Sequence, residues 1–282
     1  MYSDLKTGHI TPDFESNYRI EKFNEFNEFK SSFLRMLSHE IRTPMNSIIG
    51  FTDLLNEDCF SRDDRLLFVN TIKDSSLNLL NVLEELIDLA ELETNQVKLY
   101  ESACSLCGLF SDLLSYGENL KLKRKKYNVS FQINNNIITD NLSILTDIKC
   151  LRKVLVILLD NAIKYTDNGF IDFGYVIRDD KNLLFYVIDS GSGIPEEYQD
   201  NVFIKSNSFE NNSSVFHNGL GVGLTIAKGI INILGGDVWF NSRSSEGTSF
   251  FFSLPFKKHE NYNEVKSIHR DSSINRSNRA AC

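Results

Sequence analysis

The chain has 282 residues, 41% of them hydrophobic and 24% charged, with four prolines and fifteen glycines, a globular composition that excludes a collagen-like or wholly disordered chain. A formal charge of −8 and a pI near 5.2 argue against nucleic-acid binding over the whole surface, and no apolar run reaches the roughly 18 to 20 residues of a bilayer span. Five cysteines without a secretory leader argue against a disulfide scaffold and predict reduced thiols in the cytoplasm.

Residues 17–60 read as one long helix, with Phe23, Phe26, Phe33, Leu37, Ile41, Ile48 and Leu55 recurring at spacings near three and four. A polar break over 57–64 precedes a second helix, on which Leu66, Val69, Ile72, Ser76, Leu79, Leu83, Leu86, Ala90 and Leu92 form one stripe. The two make an antiparallel hairpin. A lone hairpin leaves apolar surface wet, so a second copy is expected to complete a four-helix bundle, making the chain a homodimer.

Beyond about residue 97 the pattern changes. A helix over 106–120 is followed by strands at 129–133, 144–146, 170–177, 183–188, 238–240 and 249–254, with helices at 148–165 and 220–234. The predicted class is α+β: the hairpin, then an α/β sandwich with helices on one face of a mixed sheet. Four segments result: a flexible 1–16, a helical hairpin over 17–96, a sandwich domain over 97–256, and a disordered polar tail over 257–282.

The first chemical segment is Ser38-His39-Glu40-Ile41-Arg42-Thr43-Pro44. At 100° per residue Leu37 and Ile41 each lie about 200° from His39, so a core-facing pair points the imidazole to solvent, where a ring nitrogen can attack a phosphoryl group. Glu40 is placed to accept the ring proton, and Thr43 sits one turn further along. Pro44 costs about 3 kcal/mol inside a helix, and a kink is expected beside His39. By spacing alone His39 reads rather as a surface histidine of an amphipathic helix than as a nucleophile.

The longer run from Phe33 to Gly50 closely resembles the H box of two-component sensor histidine kinases. The resemblance implies that His39 is phosphorylated from ATP, that Glu40 assists as general base, and that Thr43 supports dephosphorylation of a partner response-regulator receiver domain.

Three further segments read as a nucleotide pocket. In the helix 148–165 the stripe Leu151, Leu155, Leu158, Ala162 leaves Asn161, Lys164 and Tyr165 clustered at its end. Asn161 offers an amide oxygen to Mg2+, or else bonds locally; Lys164 offers charge to phosphate. Asp189 ends an apolar strand before Gly191 and Gly193, where a buried carboxylate suits an adenine amino group, though a simple turn has the same composition. Gly219, Gly221, Gly223 and Leu224 open a helix whose N–H groups favour phosphate, while the missing preceding strand excludes a dinucleotide fold.

Taken in order, residues 155–166, 189–195, 219–224 and Gly247-Thr248 resemble the N, G1, G2 and G3 boxes of the same kinases, whose GHKL-type ATP-binding domain is shared with DNA gyrase, Hsp90 and MutL. The resemblance implies Mg2+ on Asn161, adenine on Asp189, and phosphates bordered by glycines under a lid over 190–218. It covers residues 29–256. Two departures stand out: Ile157 replaces a second asparagine found in many relatives, and Phe203 is followed by Ile204-Lys205-Ser206 rather than a second phenylalanine.

Cys104-x-x-Cys107 reads as part of an amphipathic helix, and the run Lys121-Leu122-Lys123-Arg124-Lys125-Lys126 as a solvated turn. Two other readings remain open: a clamp ATPase of the gyrase and Hsp90 kind, or a catalytically weak dimeric scaffold that binds a regulator. The stretch before residue 17 is too short for a sensor, so an upstream sensor protein or a missing sensor domain is expected.

Overall fold

The computed structural model describes residues 12–133, 142–179, 182–203 and 221–256. The segment before residue 12 and the predicted tail lie outside them, as do the side chains of Phe23, Phe26 and Phe33. Two compact units divide near Ile87 and Asp88.

The first unit is a helical hairpin. Helix α1 spans Pro12–Leu55 and continues through Pro44, whose ring is buried. Helix α2 spans Arg62–Glu93 and opens with a capping box. Ser61 Oγ accepts the Asp64 N–H at 3.2 Å, and Asp64 Oδ2 accepts the Ser61 N–H at 3.1 Å. Arg65 closes the turn by donating to the Leu55 and Glu57 carbonyls at 3.0 and 2.8 Å. The helices meet through the Phe51 and Phe68 rings, 5.4 Å apart, and through Ser75 Oγ on Ser47 Oγ at 3.0 Å.

The inward face of α2 is not the stripe predicted from the sequence. Phe68, Ser75, Val82 and Leu89 are buried at a spacing of seven, flanked by half-buried Ile72, Leu79 and Leu86. Leu66, Val69 and Leu83 of the predicted stripe are exposed instead, with Leu80 and Ile87. The sequence pattern merges two apolar faces, one turned to α1 and one uncovered in a single chain.

The second unit contains β1 (Ser102–Ser105), α3 (Leu106–Lys123), β2 (Val129–Gln132), β3 (Ser143–Thr146), α4 (Ile148–Tyr165), β4 (Gly169–Asp179), β5 (Asn182–Asp189), α5 (Glu196–Gln199), α6 (Gly223–Ile233), β6 (Asp237–Arg243) and β7 (Gly247–Pro255). Five strands form a mixed sheet ordered β2-β4-β5-β7-β6, with β2 parallel to β4 and every other pair antiparallel. Strands β1 and β3 pair separately. Cys104 therefore lies buried in a strand and only Cys107 on a helix, which corrects the helical reading of that stretch.

Alternation along β5 buries Leu183, Phe185, Val187 and Asp189 on one face. Phe185 stacks on Phe252 of β7 at 4.8 Å and lies under Phe110 of α3. Leu151, Val154, Leu155, Leu158, Leu159, Ala162 and Ile163 of α4 complete this core. Burying each such side chain contributes about 1.5–3 kcal/mol, which fixes α4 against the end of β5.

Candidate functional site: an exposed histidine and a nucleotide pocket

In the first unit Leu37 and Ile41 are half-buried on the inward side of α1, and His39 projects outward with 75% of its side chain exposed. Its Nδ1 lies 3.4 Å from Glu40 Oε1. A carboxylate beside Nδ1 favours the tautomer with the proton there, leaving the Nε2 lone pair to face solvent. Thr43 Oγ1 donates to the His39 carbonyl at 3.1 Å, so the hydroxyl proton is engaged with the main chain while its lone pairs face outward. Pro44 lacks an N–H, so the Glu40 carbonyl loses its intrahelical donor in the same turn.

In the second unit Asp189 is the fourth inward residue of β5, placed among helices rather than in water. Its Oδ1 accepts the N–H of Gly191 at 2.9 Å and of Thr248 at 3.2 Å, leaving Oδ2 for a ligand. Burial raises its pKa from the usual 3.8, and these two N–H groups pull in the opposite direction without cancelling it.

The loop after β5 wraps the end of α4. Ser192 N–H donates to the Tyr165 carbonyl at 3.2 Å. A Cβ on Gly191 would sit 2.4 Å from that carbonyl oxygen, and one on Gly193, where φ is 67°, 2.0 Å from the Arg243 carbonyl oxygen. The two glycines thus serve close backbone packing around Asp189 rather than mere flexibility.

The sequence reading did not find Ser242. Its Oγ accepts the Ile194 N–H at 2.8 Å, donates to the Gly247 carbonyl at 3.1 Å and lies 2.9 Å from Thr248 Oγ1. With its own proton given to Gly247, Ser242 takes one from Thr248, which leaves Thr248 Oγ1 an acceptor. Thr166 was missed as well: its hydroxyl is buried with no hydrogen-bond partner among the described residues. No short motif marks either, because their partners lie far away in sequence.

Asn161 is half-buried, and its side-chain amide has no hydrogen-bond partner among the described residues. Lys164 Nζ stands 5.1 Å over the Tyr165 ring. Ile157, one turn before Asn161, lies with Cγ2 3.3 Å from where a Gly223 Cβ would be. Gly221 has φ 65°, Val222 is buried, and Leu224 is half-buried on α6, which starts at Gly223 rather than at residue 220. Gly219 and most of the expected lid lie outside the described residues. Phe203, the last described residue before the remainder of the expected lid, packs against Phe240 and Phe250 at 5.8 and 6.2 Å, and its carbonyl accepts from Thr225 Oγ1 at 3.3 Å.

The His Kinase A (phospho-acceptor) domain model matches residues 29–95, and the model of the histidine kinase-, DNA gyrase B-, and HSP90-like ATPase matches residues 146–258. The signal transduction histidine-protein kinase BarA of Escherichia coli (strain K12) is 31% identical over 241 residues, covering 83% of this chain and 25% of BarA. The chain belongs to the two-component sensor histidine kinases.

Within that family, the circadian input-output histidine kinase CikA of Synechococcus elongatus is 29% identical over 232 residues, 81% of this chain and 30% of CikA. The chain thus spans about a quarter to a third of these kinases. The fold is that of the Acinetobacter baumannii histidine kinase AdeS, with a TM-score of 0.60 at 20% identity over 78% of this chain and 98% of that one. It is also that of ThkA in its complex with response regulator protein TrrA, with a TM-score of 0.57 at 23% identity over 90% of this chain and 68% of that one.

Proposed function

We propose that this chain is an ATP-dependent protein-histidine kinase that phosphorylates His39 and passes the phosphoryl group to an aspartate of a response-regulator receiver domain. The observation that carries the reading is the exposed imidazole of His39 with Nδ1 3.4 Å from Glu40 Oε1. As Nε2 bonds to the γ-phosphorus of ATP, the bridging P–O bond breaks, ADP leaves, and the Nδ1 proton passes to Glu40.

On the nucleotide side Asp189 Oδ2 accepts from the adenine amino group, with Thr248 Oγ1 as a further acceptor at the same strand end. Lys164, with Tyr165 beside it, meets phosphate charge, as do the N–H groups opening α6 after Gly219, Gly221 and Gly223, with Leu224 in its first turn. The residues present suit Mg2+: the Asn161 amide, which has no hydrogen-bond partner among the described residues, is a hard oxygen donor. Bound there, Mg2+ supplies charge neutralisation on the phosphate oxygens.

The uncovered face of α2, with Leu66, Val69, Leu80, Leu83 and Ile87, supports a homodimer closed as a four-helix bundle. Thr43, one turn from His39, supports phosphatase action on the receiver domain. Domain limits of 17–96 and 97–256, with flanks at 1–16 and 257–282, agree with this division of labour. The cytoplasmic location stays part of the proposal; no described helix is long and apolar enough to cross a membrane.

The test is a pulse of γ-labelled ATP with Mg2+, followed by a chase with receiver domain. Label that is stable in base, labile in acid and lost to the receiver is the expected result. Nucleotide turnover without protein label points to a clamp ATPase, and neither label nor turnover to a scaffold.

A further inference from the structure

The basic run at 121–126 has no task in the function proposed above, and the structure gives it one. Helix α3 ends there in a two-bond reversal: the Lys125 and Lys126 N–H groups reach the Leu122 and Lys121 carbonyls at 3.1 and 2.9 Å, and Lys125 takes φ 58°. The reversal turns alternate side chains onto α4. Arg124 Nη1 donates to the Asp160 carbonyl at 3.1 Å, and its Nη2 lies 3.8 Å from Asp160 Oδ2. Asp160 Oδ1 accepts from the Tyr116 hydroxyl at 2.7 Å. Lys126 Nζ donates to the Lys164 carbonyl at 3.2 Å and pairs with Asp167.

A helix leaves its last four carbonyls without intrahelical donors and carries partial negative charge there. In α4 three of the four are accounted for: Ala162 by the Thr166 N–H, Lys164 by the Lys126 ammonium, and Tyr165 by the Ser192 N–H. The end of α4 is therefore held from the basic side by Lys126 at Lys164 and by Arg124 one turn earlier at Asp160, and from the other by the glycine loop after Asp189. These last two turns carry Asn161, Lys164 and Tyr165. Asp160 and Asn161 are successive residues whose side chains diverge by about 100°, so a grip on the first leaves the second turned elsewhere.

We propose that Arg124 and Lys126 are positioning residues for the nucleotide: by fixing the end of α4 they set the aim of the Asn161 amide and the Lys164 ammonium, and hence the affinity for Mg-ATP. The inference rests on the nucleotide reading of α4 given above. Neither cation touches the nucleotide. Lys121 and Lys123 have different duties: Lys121 pairs with Glu118 at 2.6 Å and stands over the Phe131 ring, while Lys123 makes no ion pair among the described residues.

The test compares the wild-type chain with Lys126→Ala, Arg124→Ala, Lys126→Arg and Lys123→Ala. Two readouts are taken: ATP affinity with Mg2+ or with chelator, and amide hydrogen exchange over residues 160–166 without nucleotide. Lys126→Ala and Arg124→Ala are each expected to weaken Mg-ATP binding about tenfold and to speed exchange in that segment. Lys126→Arg is expected to restore both, and Lys123→Ala, which removes the same charge from the same run, to change neither. Lys126→Gln, which keeps a donor without the charge, serves if the alanine variant does not fold.

Unchanged affinity and exchange in a folded Lys126→Ala overturn the inference, as does equal weakening by Lys123→Ala. If wild type itself fails to bind ATP, the nucleotide reading falls and takes this inference with it. If wild type binds and Asp189→Asn does not while Lys126→Ala binds normally, only the positioning role falls.

Discussion

Asp189 Oδ1 accepts the main-chain N–H of Thr248 at 3.2 Å across the in-register pair that the two residues form between β5 and β7. A carboxylate at the buried end of a strand is thereby oriented by backbone, so its second oxygen is fixed before any ligand arrives. Asp189→Asn keeps an acceptor for the two N–H groups and turns the other atom into a donor facing the adenine amino group. ATP affinity is expected to fall by about 2–3 kcal/mol, or 30- to 150-fold, with the melting temperature little changed. Titration calorimetry with Mg-ATP checks this, and wild-type affinity in the variant contradicts it.

The raised pKa of Asp189 gives that affinity a pH dependence. In the proposed reading adenine binds the ionised carboxylate, and burial moves protonation to a pH above the usual 3.8, so the ATP dissociation constant is expected to rise on acidification earlier than an ordinary carboxylate predicts. For folding the sign is opposite. Between 3.8 and the raised value the folded chain holds a proton that the unfolded chain lacks, so this residue's contribution to stability declines as pH rises through that window. Paired affinity and urea-unfolding measurements from pH 8 down to about pH 3.5, which span that window, separate the two trends.

Asp147 behaves in the other sense. Burial pushes its pKa up, but N–H groups of Tyr100, Cys150 and Lys149 outweigh burial and hold it below 3.8. Its contribution to stability is present above that value and lost as pH falls through the depressed folded value. It also caps α4, so Asp147→Ala is expected to cost about 1–2 kcal/mol near neutral pH, with a smaller deficit in strong acid. Denaturant midpoints at the two pH values give the answer.

Helices α2, α3 and α6 end in the same two-bond reversal, with Asn95, Lys125 and Gly235 in the left-handed position. Asn and Gly adopt it readily; Lys, with a Cβ and no local side-chain bond, adopts it at a cost. Lys125→Gly is expected to stabilise the chain by up to about 1 kcal/mol and to leave Mg-ATP binding unchanged. A lower melting temperature for the glycine variant contradicts the strain argument.

The long helices and most strands were legible because a 3.6-residue or two-residue period is written in one stretch of chain. What periodicity misassigned was the inward face of α2: Leu66, Val69 and Leu83 fall into step with Ile72 and Leu79, yet only the latter pair turns toward α1. Strand β1 escaped notice because Ser-Ala-Cys-Ser has no β-branched residue and exists through its pairing with β3.

His39 and Asp189 were legible from adjacent residues, whereas the support around them was not. Ser242 serves Ile194 from 48 positions away, and Lys126 caps Lys164 from 38. Such links are made by the sheet and by helix ends meeting in space, and no window of sequence contains both partners.

The central claim is that His39 carries the phosphoryl group. The wild-type chain and its His39→Ala variant are incubated with γ-labelled ATP and Mg2+, and the labelled peptide is mapped under basic conditions. Label on His39 in wild type and none in a folded His39→Ala variant that still binds ATP is the predicted result. Undiminished label in His39→Ala, or label mapped to another residue, contradicts the account.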